Sequence, residues 1–134
     1  MSRLVAVLTA AGSGSRLGCG GPKALVPLAH RPLLCWAARA LVEAGATAIV
    51  VTAPAEAVAE FRSALEGVGA EVAVVAGSAA SRQASVANGL GALPPLDADD
   101  VVLVHDAARP LTPPSMIRRV ADAVRSGCDA VIPT

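Results

Sequence analysis

The sequence has almost no aromatic residues, a single lysine and no excess charge of either sign. Its 134 residues include no tyrosine, one tryptophan and one phenylalanine, Lys23 is the only lysine, and eleven basic side chains balance eleven acidic ones. A general nucleic-acid binder usually presents a basic surface and aromatic stacking platforms. We therefore expect no nucleic-acid partner, and any anionic ligand must be held by donors gathered locally.

Long apolar runs and paired cysteines are also missing. The longest apolar stretches, such as 46–53, are far shorter than the about 20 residues that span a bilayer, and the start of the chain does not resemble a signal peptide. Cys19, Cys35 and Cys128 form no CxxC pair, so neither a disulfide scaffold nor a zinc site is indicated. These absences predict a soluble, cytoplasmic protein with reduced thiols and no membrane partner.

Strand-like and helix-like patterns alternate along the chain. Short, continuous aliphatic runs, typical of strands buried on both faces, occur at 4–8, 48–52, 71–75, 101–104 and 130–132. Segments with helical spacing lie between them, at 32–44, 55–66, 81–93 and 112–127. Parallel strands need crossover helices, so the alternation predicts one α/β domain over 1–134 with a mostly parallel sheet covered on both faces. Ligands of such sheets bind beyond the carboxyl ends of the strands.

A glycine-rich loop over 10–23, with the sequence AAGSGSRLGCGGPK, follows the first predicted strand. Its small residues allow backbone amides to turn inward and close on an anion. A Walker loop would end in Gly-Lys-Ser/Thr, whereas Lys23 precedes Ala24. A dinucleotide-binding loop is a weaker alternative, because it must run straight into a helix that the later glycines and Pro22 would break. The pattern favours an extended loop that wraps a nucleoside triphosphate and closes on it with Arg16 and Lys23.

Three further polar residues follow predicted strands or begin a predicted helix. Asp106 follows an apolar strand, and a carboxylate at that place, opposite a phosphate-binding loop, can bind Mg²⁺. The alternative is that its side chain caps the turn that leads into Arg109 and Pro110. Arg109 either clamps a substrate phosphate or pairs with Asp106. Ser85 lies near a helix start, where it touches the nucleotide or caps the helix. His105 receives no catalytic role, since a phosphate nucleophile is already ionised at neutral pH.

Three segments, in this order, resemble one known family. They are AAGSGSRL at 10–17 with PK at 22–23, RQASV at 82–86 with GL at 89–90, and VHDAARP at 104–110. Together they are similar to the motifs of the 2-C-methyl-D-erythritol 4-phosphate cytidylyltransferase family, within the nucleotidyltransferases. The chain departs from the family at 77–81, which reads GSAAS where the family usually has two adjacent glycines.

The resemblance implies a Rossmann-like three-layer sandwich of the nucleotide-diphospho-sugar transferase type, incomplete at its C-terminus because family members continue into a dimer arm. It implies transfer of CMP from CTP to a small phosphorylated polyol with Mg²⁺, by a homodimer. The resemblance implies catalytic roles for Arg16 and Lys23, a substrate contact by Arg109 and metal binding by Asp106. It also implies nucleotide contacts by Ala10, Ala11, Gly12, Gly14, Gly77, Ser85 and Ala107.

Three alternatives stay open at this stage. A related nucleotidyltransferase would use another base or another phosphorylated acceptor, and the altered loop at 77–81 leaves room for it. A non-catalytic module would bind a nucleotide or a partner subunit without turnover. An NADP-binding reductase, which the glycine-rich loop disfavours, would bind a nicotinamide cofactor.

Overall fold

A computed structural model describes residues 3–10, 23–25, 27–77, 82–107 and 112–127. In this part of the chain no helix combines the length and the apolar character that crossing a bilayer would require. The strand expected at 130–132 lies outside the described residues.

Within the described residues the core of the fold is a four-stranded parallel sheet. Its strands are β1 (Leu4–Thr9), β4 (Ala46–Ala53), β5 (Glu71–Ala76) and β6 (Val101–Asp106), in the spatial order β5-β4-β1-β6. Every residue of the central strand β1 is buried, as its continuous aliphatic run predicted. The parallel sheet expected from the alternating pattern is therefore confirmed.

Helices cover both faces of this sheet. On one face α1 (Leu33–Glu43), α2 (Val58–Ala64) and α4 (Pro114–Arg125) join alternate residues of β1, Leu4, Ala6 and Leu8, in one buried apolar cluster. On the other face α3 (Arg82–Gly91) packs against β1, β4 and β5. Because neighbouring side chains of a strand point to opposite faces, β1 supplies both layers, and the expected three-layer arrangement is confirmed.

The helix ends mostly follow the glycine signals. Gly45 after α1 has φ +107° and Gly127 after α4 has φ +116°, a left-handed backbone that favours glycine and stops the helix. The helix expected over 55–66 is divided. A 3₁₀ turn spans Ala55–Ala57, and α2 begins only at Val58, because Ala57 at φ −114°, ψ 7° leaves the helical region.

One element was not expected. A small antiparallel hairpin pairs β2 (Pro27–Leu28) with β3 (Arg31–Pro32) through a turn at Ala29 and His30, whose φ angles are 51° and 67°. Trp36 of α1 anchors the hairpin, since its indole Nε1 donates a hydrogen bond to the Leu28 carbonyl at 2.7 Å. Turns with two positive φ values normally use Asn-Gly, so Ala29 and His30 do not predict this turn.

Candidate functional site at the carboxyl edge of the sheet

The carboxyl ends of all four parallel strands meet at one edge. Thr9, near the end of β1, lies in register with Thr52 of β4 on one side and with Asp106 of β6 on the other. Laterally paired residues of a parallel sheet project from the same face, so these three side chains belong to one row. The row faces α3, because Thr52 lies beneath Gly89 of that helix.

The three residues that directly follow β1, β5 and β6 each donate a backbone hydrogen bond to a neighbouring strand. Ala10 donates to the Thr52 carbonyl at 2.9 Å, Gly77 to Ala53 at 2.7 Å, and Ala107 to Thr9 at 3.0 Å. All three were expected to contact the nucleotide, and the structure brings them to the same edge. Their amides are used within the sheet, so free amide donors for an anion must come from other residues. The bonds fix where the following loops leave the sheet.

The start of α3 completes the described part of this edge. Ser85 is buried at 3% exposure and lies one turn before Gly89, on the side of α3 that faces the sheet. Asn88 reaches across and donates its side-chain amide to the Ala76 carbonyl at 3.3 Å. The contacts of Asn88 and Gly89 thus hold α3 over the ends of β4 and β5, and Ser85 lies one turn before them on the face that meets the sheet.

Asp106 is the last residue of β6 and is partly exposed. The neighbouring strand supports its backbone, because the Thr9 hydroxyl donates to the His105 carbonyl at 3.2 Å and the Ala107 amide donates to the Thr9 carbonyl. These two contacts hold both peptide groups that flank Asp106. The carboxylate therefore stands on a fixed backbone at the edge where open α/β sheets bind ligands.

The donor set at this edge is compatible with Mg²⁺. This ion commonly takes one or two protein carboxylates and completes its shell with phosphate oxygens and water, so Asp106 can serve as a protein ligand of a nucleotide-bound ion. Within the described ranges, the cluster of three acidic side chains close enough to share an ion is Asp97, Asp99 and Asp100. That cluster precedes β6, at the opposite edge of the sheet, and Asp100 is already paired with Arg3.

Several expected site residues lie outside the described residues: Ala11, Gly12, Gly14, Arg16 and Arg109. Lys23 begins a 3₁₀ turn, Lys23–Leu25, that packs on α1 through the buried Ala24. The backbone from which this lysine projects is thus fixed to the core. The hydroxyls of Thr9 and Thr52 were not expected at this edge; a threonine at the end of an otherwise aliphatic run is the pattern that would have predicted them.

Comparison with known proteins agrees with this architecture. The family model for 2-C-methyl-D-erythritol 4-phosphate cytidylyltransferase matches residues 4–134. A Streptomyces avermitilis protein of that name is 47% identical over 137 aligned residues, which cover 98% of this chain and 54% of the relative. This chain therefore spans about half the length of that relative.

Solved structures share the fold. The 4-diphosphocytidyl-2C-methyl-D-erythritol synthase of Anaerococcus prevotii matches with a TM-score of 0.74 and 24% identity, covering 92% of this chain and 52% of that one. A Mycobacterium tuberculosis protein crystallised with manganese matches with a TM-score of 0.69 and 22% identity, covering 93% of this chain and 61% of that one. With the family match over nearly every residue, the expectation from the three motifs is confirmed: the chain belongs to the 2-C-methyl-D-erythritol 4-phosphate cytidylyltransferase family.

Proposed function

We propose that this chain is the nucleotide-binding part of a cytidylyltransferase of non-mevalonate isoprenoid biosynthesis, in which CMP passes from CTP to 2-C-methyl-D-erythritol 4-phosphate. The observation that carries the proposal is the family match over 4–134, which includes the edge where Ala10, Gly77, Asp106 and Ala107 lie together. An acceptor phosphate oxygen attacks the α-phosphorus of CTP, the bond to the bridging oxygen breaks, and pyrophosphate leaves.

The chemistry needs charge stabilisation more than proton transfer. Negative charge grows on the α-phosphoryl oxygens and on the leaving pyrophosphate, so cations and amides fixed at those positions lower the barrier. We assign this role to Arg16 and Lys23, with the backbone of Ala11, Gly12 and Gly14 as amide donors. The family pattern supports these assignments, and the anchored turn at Lys23–Leu25 supports the one for Lys23.

The remaining contacts divide between the nucleotide, the acceptor and the metal. We assign Ala10, Gly77, Ser85 and Ala107 to the cytidine end, which the position of Ala10, Gly77 and Ala107 at the carboxyl edge of the sheet supports. Arg109 clamps the acceptor phosphate, because a guanidinium binds phosphate through two parallel hydrogen bonds. These assignments carry the family motif onto the residues that match it.

Asp106 holds Mg²⁺ in this proposal. The ion, when bound, neutralises charge on the triphosphate and orients it for in-line displacement. This assignment is supported by the position of Asp106 on a held backbone at the carboxyl edge and by the small number of carboxylates that Mg²⁺ needs. We further propose that residues 1–134 form one nucleotidyltransferase domain of a longer cytoplasmic enzyme that acts as a homodimer.

Calorimetric titration of the chain with CTP, ATP, GTP and UTP in Mg²⁺ tests the proposal. CTP should bind in preference to the other three, and Asp106→Asn, which keeps the side-chain shape, should weaken binding about tenfold or more by removing a charged metal ligand. Asp99→Asn is the matched control, since Asp99 is exposed at the opposite edge of the sheet. Equal binding of all four nucleotides, or equal loss in both variants, would contradict the proposal.

Turnover is tested by pyrophosphate release with 2-C-methyl-D-erythritol 4-phosphate as acceptor. Where the chain turns over, Lys23→Ala should lower the rate on the order of 100-fold, the usual loss for one preorganised donor to a developing anion. A loss below about threefold would refute the catalytic role of Lys23. CTP binding without turnover would instead indicate a nucleotide-binding part that needs the rest of the enzyme.

A further inference from the structure

A charged groove lies between α1 and the C-terminal end of α2, away from the edge described above. It has a volume of about 460 Å³, and its wall includes Arg31, Cys35, Arg39, Glu43 and Glu66. This volume falls in the range of small-molecule sites, about 300–1,000 Å³. None of the residues assigned to the nucleotide, the acceptor or the metal lines it, within the described ranges.

The groove residues of α1 follow from helical spacing. Cys35, Arg39 and Glu43 are each four positions apart, so they form one stripe along α1, and Arg31 of β3 lines the groove beside the start of that helix. The buried residues of α1, such as Leu34 and Leu41, face the core instead. The stripe therefore borders the groove, with Arg39 in the second half of α1 and Glu43 at its end.

Both arginines are available to a ligand. In the described part of the chain the ion pairs join Arg3 to Asp100 and Arg125 to Asp122, and none involves Arg31 or Arg39. The Arg31 guanidinium lies 5.0 Å from the centroid of the Trp36 ring, a cation–π contact that positions it without neutralising it. Among the described residues neither guanidinium has a carboxylate within ion-pair distance, so both can attract an anion in the groove.

The Cys35 side chain, a protonated thiol, lies between the two arginines in the wall of the groove. Cys35 is buried to 7% exposure, its Sγ donates to the Ala64 carbonyl at 3.0 Å, and burial raises the pKa of the thiol although Arg31 and Arg39 both act in the opposite direction. A neutral thiol does not compete with a bound anion for the arginines. It also provides a label at the bottom of the groove.

The other end of the groove has the opposite chemistry. Glu43 and Glu66 lie there, with Val42 and Val68 as an apolar wall. Carboxylates accept hydrogen bonds from hydroxyl or ammonium groups. A ligand that fits both ends carries an anionic group at one end and hydrogen-bond donors at the other.

We propose that this groove binds a small organic phosphate that bears hydroxyl groups, with its phosphate between Arg31 and Arg39 and its hydroxyls at Glu43 and Glu66. Guanidinium groups bind phosphate through paired, charge-assisted hydrogen bonds, which gives the site its preference for phosphate. The site is separate from the proposed catalytic edge and does not depend on that function.

Titration calorimetry with glycerol 3-phosphate, without nucleotide, tests the site. Arg39→Gln should weaken binding about tenfold or more through loss of one charge-assisted contact, while free glycerol should not bind. Arg119→Gln is the matched control, because Arg119 is an exposed arginine of α4 outside the groove. Unchanged affinity in Arg39→Gln, or equal loss in both variants, would overturn the proposal.

Alkylation of Cys35 by iodoacetamide at alkaline pH, where more of this thiol is ionised, followed by peptide mass spectrometry, locates the ligand without changing any cysteine. Glycerol 3-phosphate should slow alkylation at Cys35 about threefold or more at a ligand concentration a few times the dissociation constant. Asp106→Asn should retain both this protection and the calorimetric affinity. Loss of both in Asp106→Asn would place the ligand at the catalytic edge and refute the groove site.

Discussion

Thr52 has a side-chain hydroxyl that is buried without a hydrogen-bond partner among the described residues. The residue is fully buried in β4, beneath Gly89 of α3, and its Oγ1 contacts neither solvent nor an acceptor. An unpaired buried hydroxyl loses its bonds to water on folding and gains none in return. Its presence next to the candidate site therefore lowers the stability of the chain.

We expect Thr52→Val to raise the free energy of unfolding by about 1 kcal/mol, because the methyl group that replaces the hydroxyl needs no partner. Thr9→Val is the matched control on the adjacent strand. The Thr9 hydroxyl donates to the His105 carbonyl, so its loss should lower stability by about 1 kcal/mol. Urea unfolding of both variants measures the difference, and a loss of stability in Thr52→Val would show that its hydroxyl is satisfied.

At the scale of the elements, the close approach of α3 to the sheet depends on one glycine. A Cβ built on Gly89 would lie 2.6 Å from Cγ1 of Val7 and 3.1 Å from Cγ2 of Thr52. Both are branched, buried side chains with little room to move. Gly89 thus sets the distance between α3 and the sheet, and with it the position of Ser85 one turn earlier.

Gly89→Ala should lower the free energy of unfolding by about 1–3 kcal/mol, because the overlap with Val7 outweighs the better helix propensity of alanine. Gly91→Ala is the control in the same helix. Nothing lies within 4 Å of its built Cβ, so it should gain about 0.5 kcal/mol. Combining Gly89→Ala with Val7→Ala should recover part of the loss; no recovery would locate the strain elsewhere.

The elements differ in how well the sequence predicted them, and the reasons are physical. The strands β1 and β4 were predictable because a parallel sheet buried on both faces needs continuous aliphatic runs. The β2–β3 hairpin was not, because its turn uses Ala29 and His30 where glycine or asparagine is the usual signal. The division of the helix expected over 55–66 depends on one residue, Ala57, whose identity favours a helix.

The candidate site shows the same limit at the scale of the whole molecule. The position of Asp106 at a strand end was predictable from the apolar run before it. The use of the amides of Ala10, Gly77 and Ala107 within the sheet was not, because strand order sets which neighbouring carbonyl each amide meets. The groove between α1 and α2 depends on tertiary packing, and no local sequence motif predicts it.

One ion pair joins two distant parts of the chain across the edge opposite the candidate site. The backbone amide of Arg3 donates to Asp100 Oδ1 at 2.8 Å, the amide of Asp97 donates to Oδ2 at 2.9 Å, and the Arg3 guanidinium approaches Oδ2 at 2.9 Å. These contacts, the Arg3 amide first, lower the pKa of Asp100 to about 2. They hold the start of β1 against the turn that leads into β6.

This lowered pKa predicts acid sensitivity. An unfolded aspartate has a pKa of about 3.9, so the folded state favours the ionised carboxylate, and the stabilisation is complete above about pH 5. It should disappear as the pH falls through about 4 towards the folded pKa of about 2.

Asp100→Asn should therefore be less stable than the unchanged chain at pH 6, and the difference in stability should narrow steadily between pH 5 and pH 2. Thermal unfolding across this range measures the difference. Asp99→Asn, a substitution of an exposed neighbour, is the control for loss of a carboxylate in this turn. A difference for Asp100→Asn that stays constant with pH would mean that its charge does not stabilise the fold.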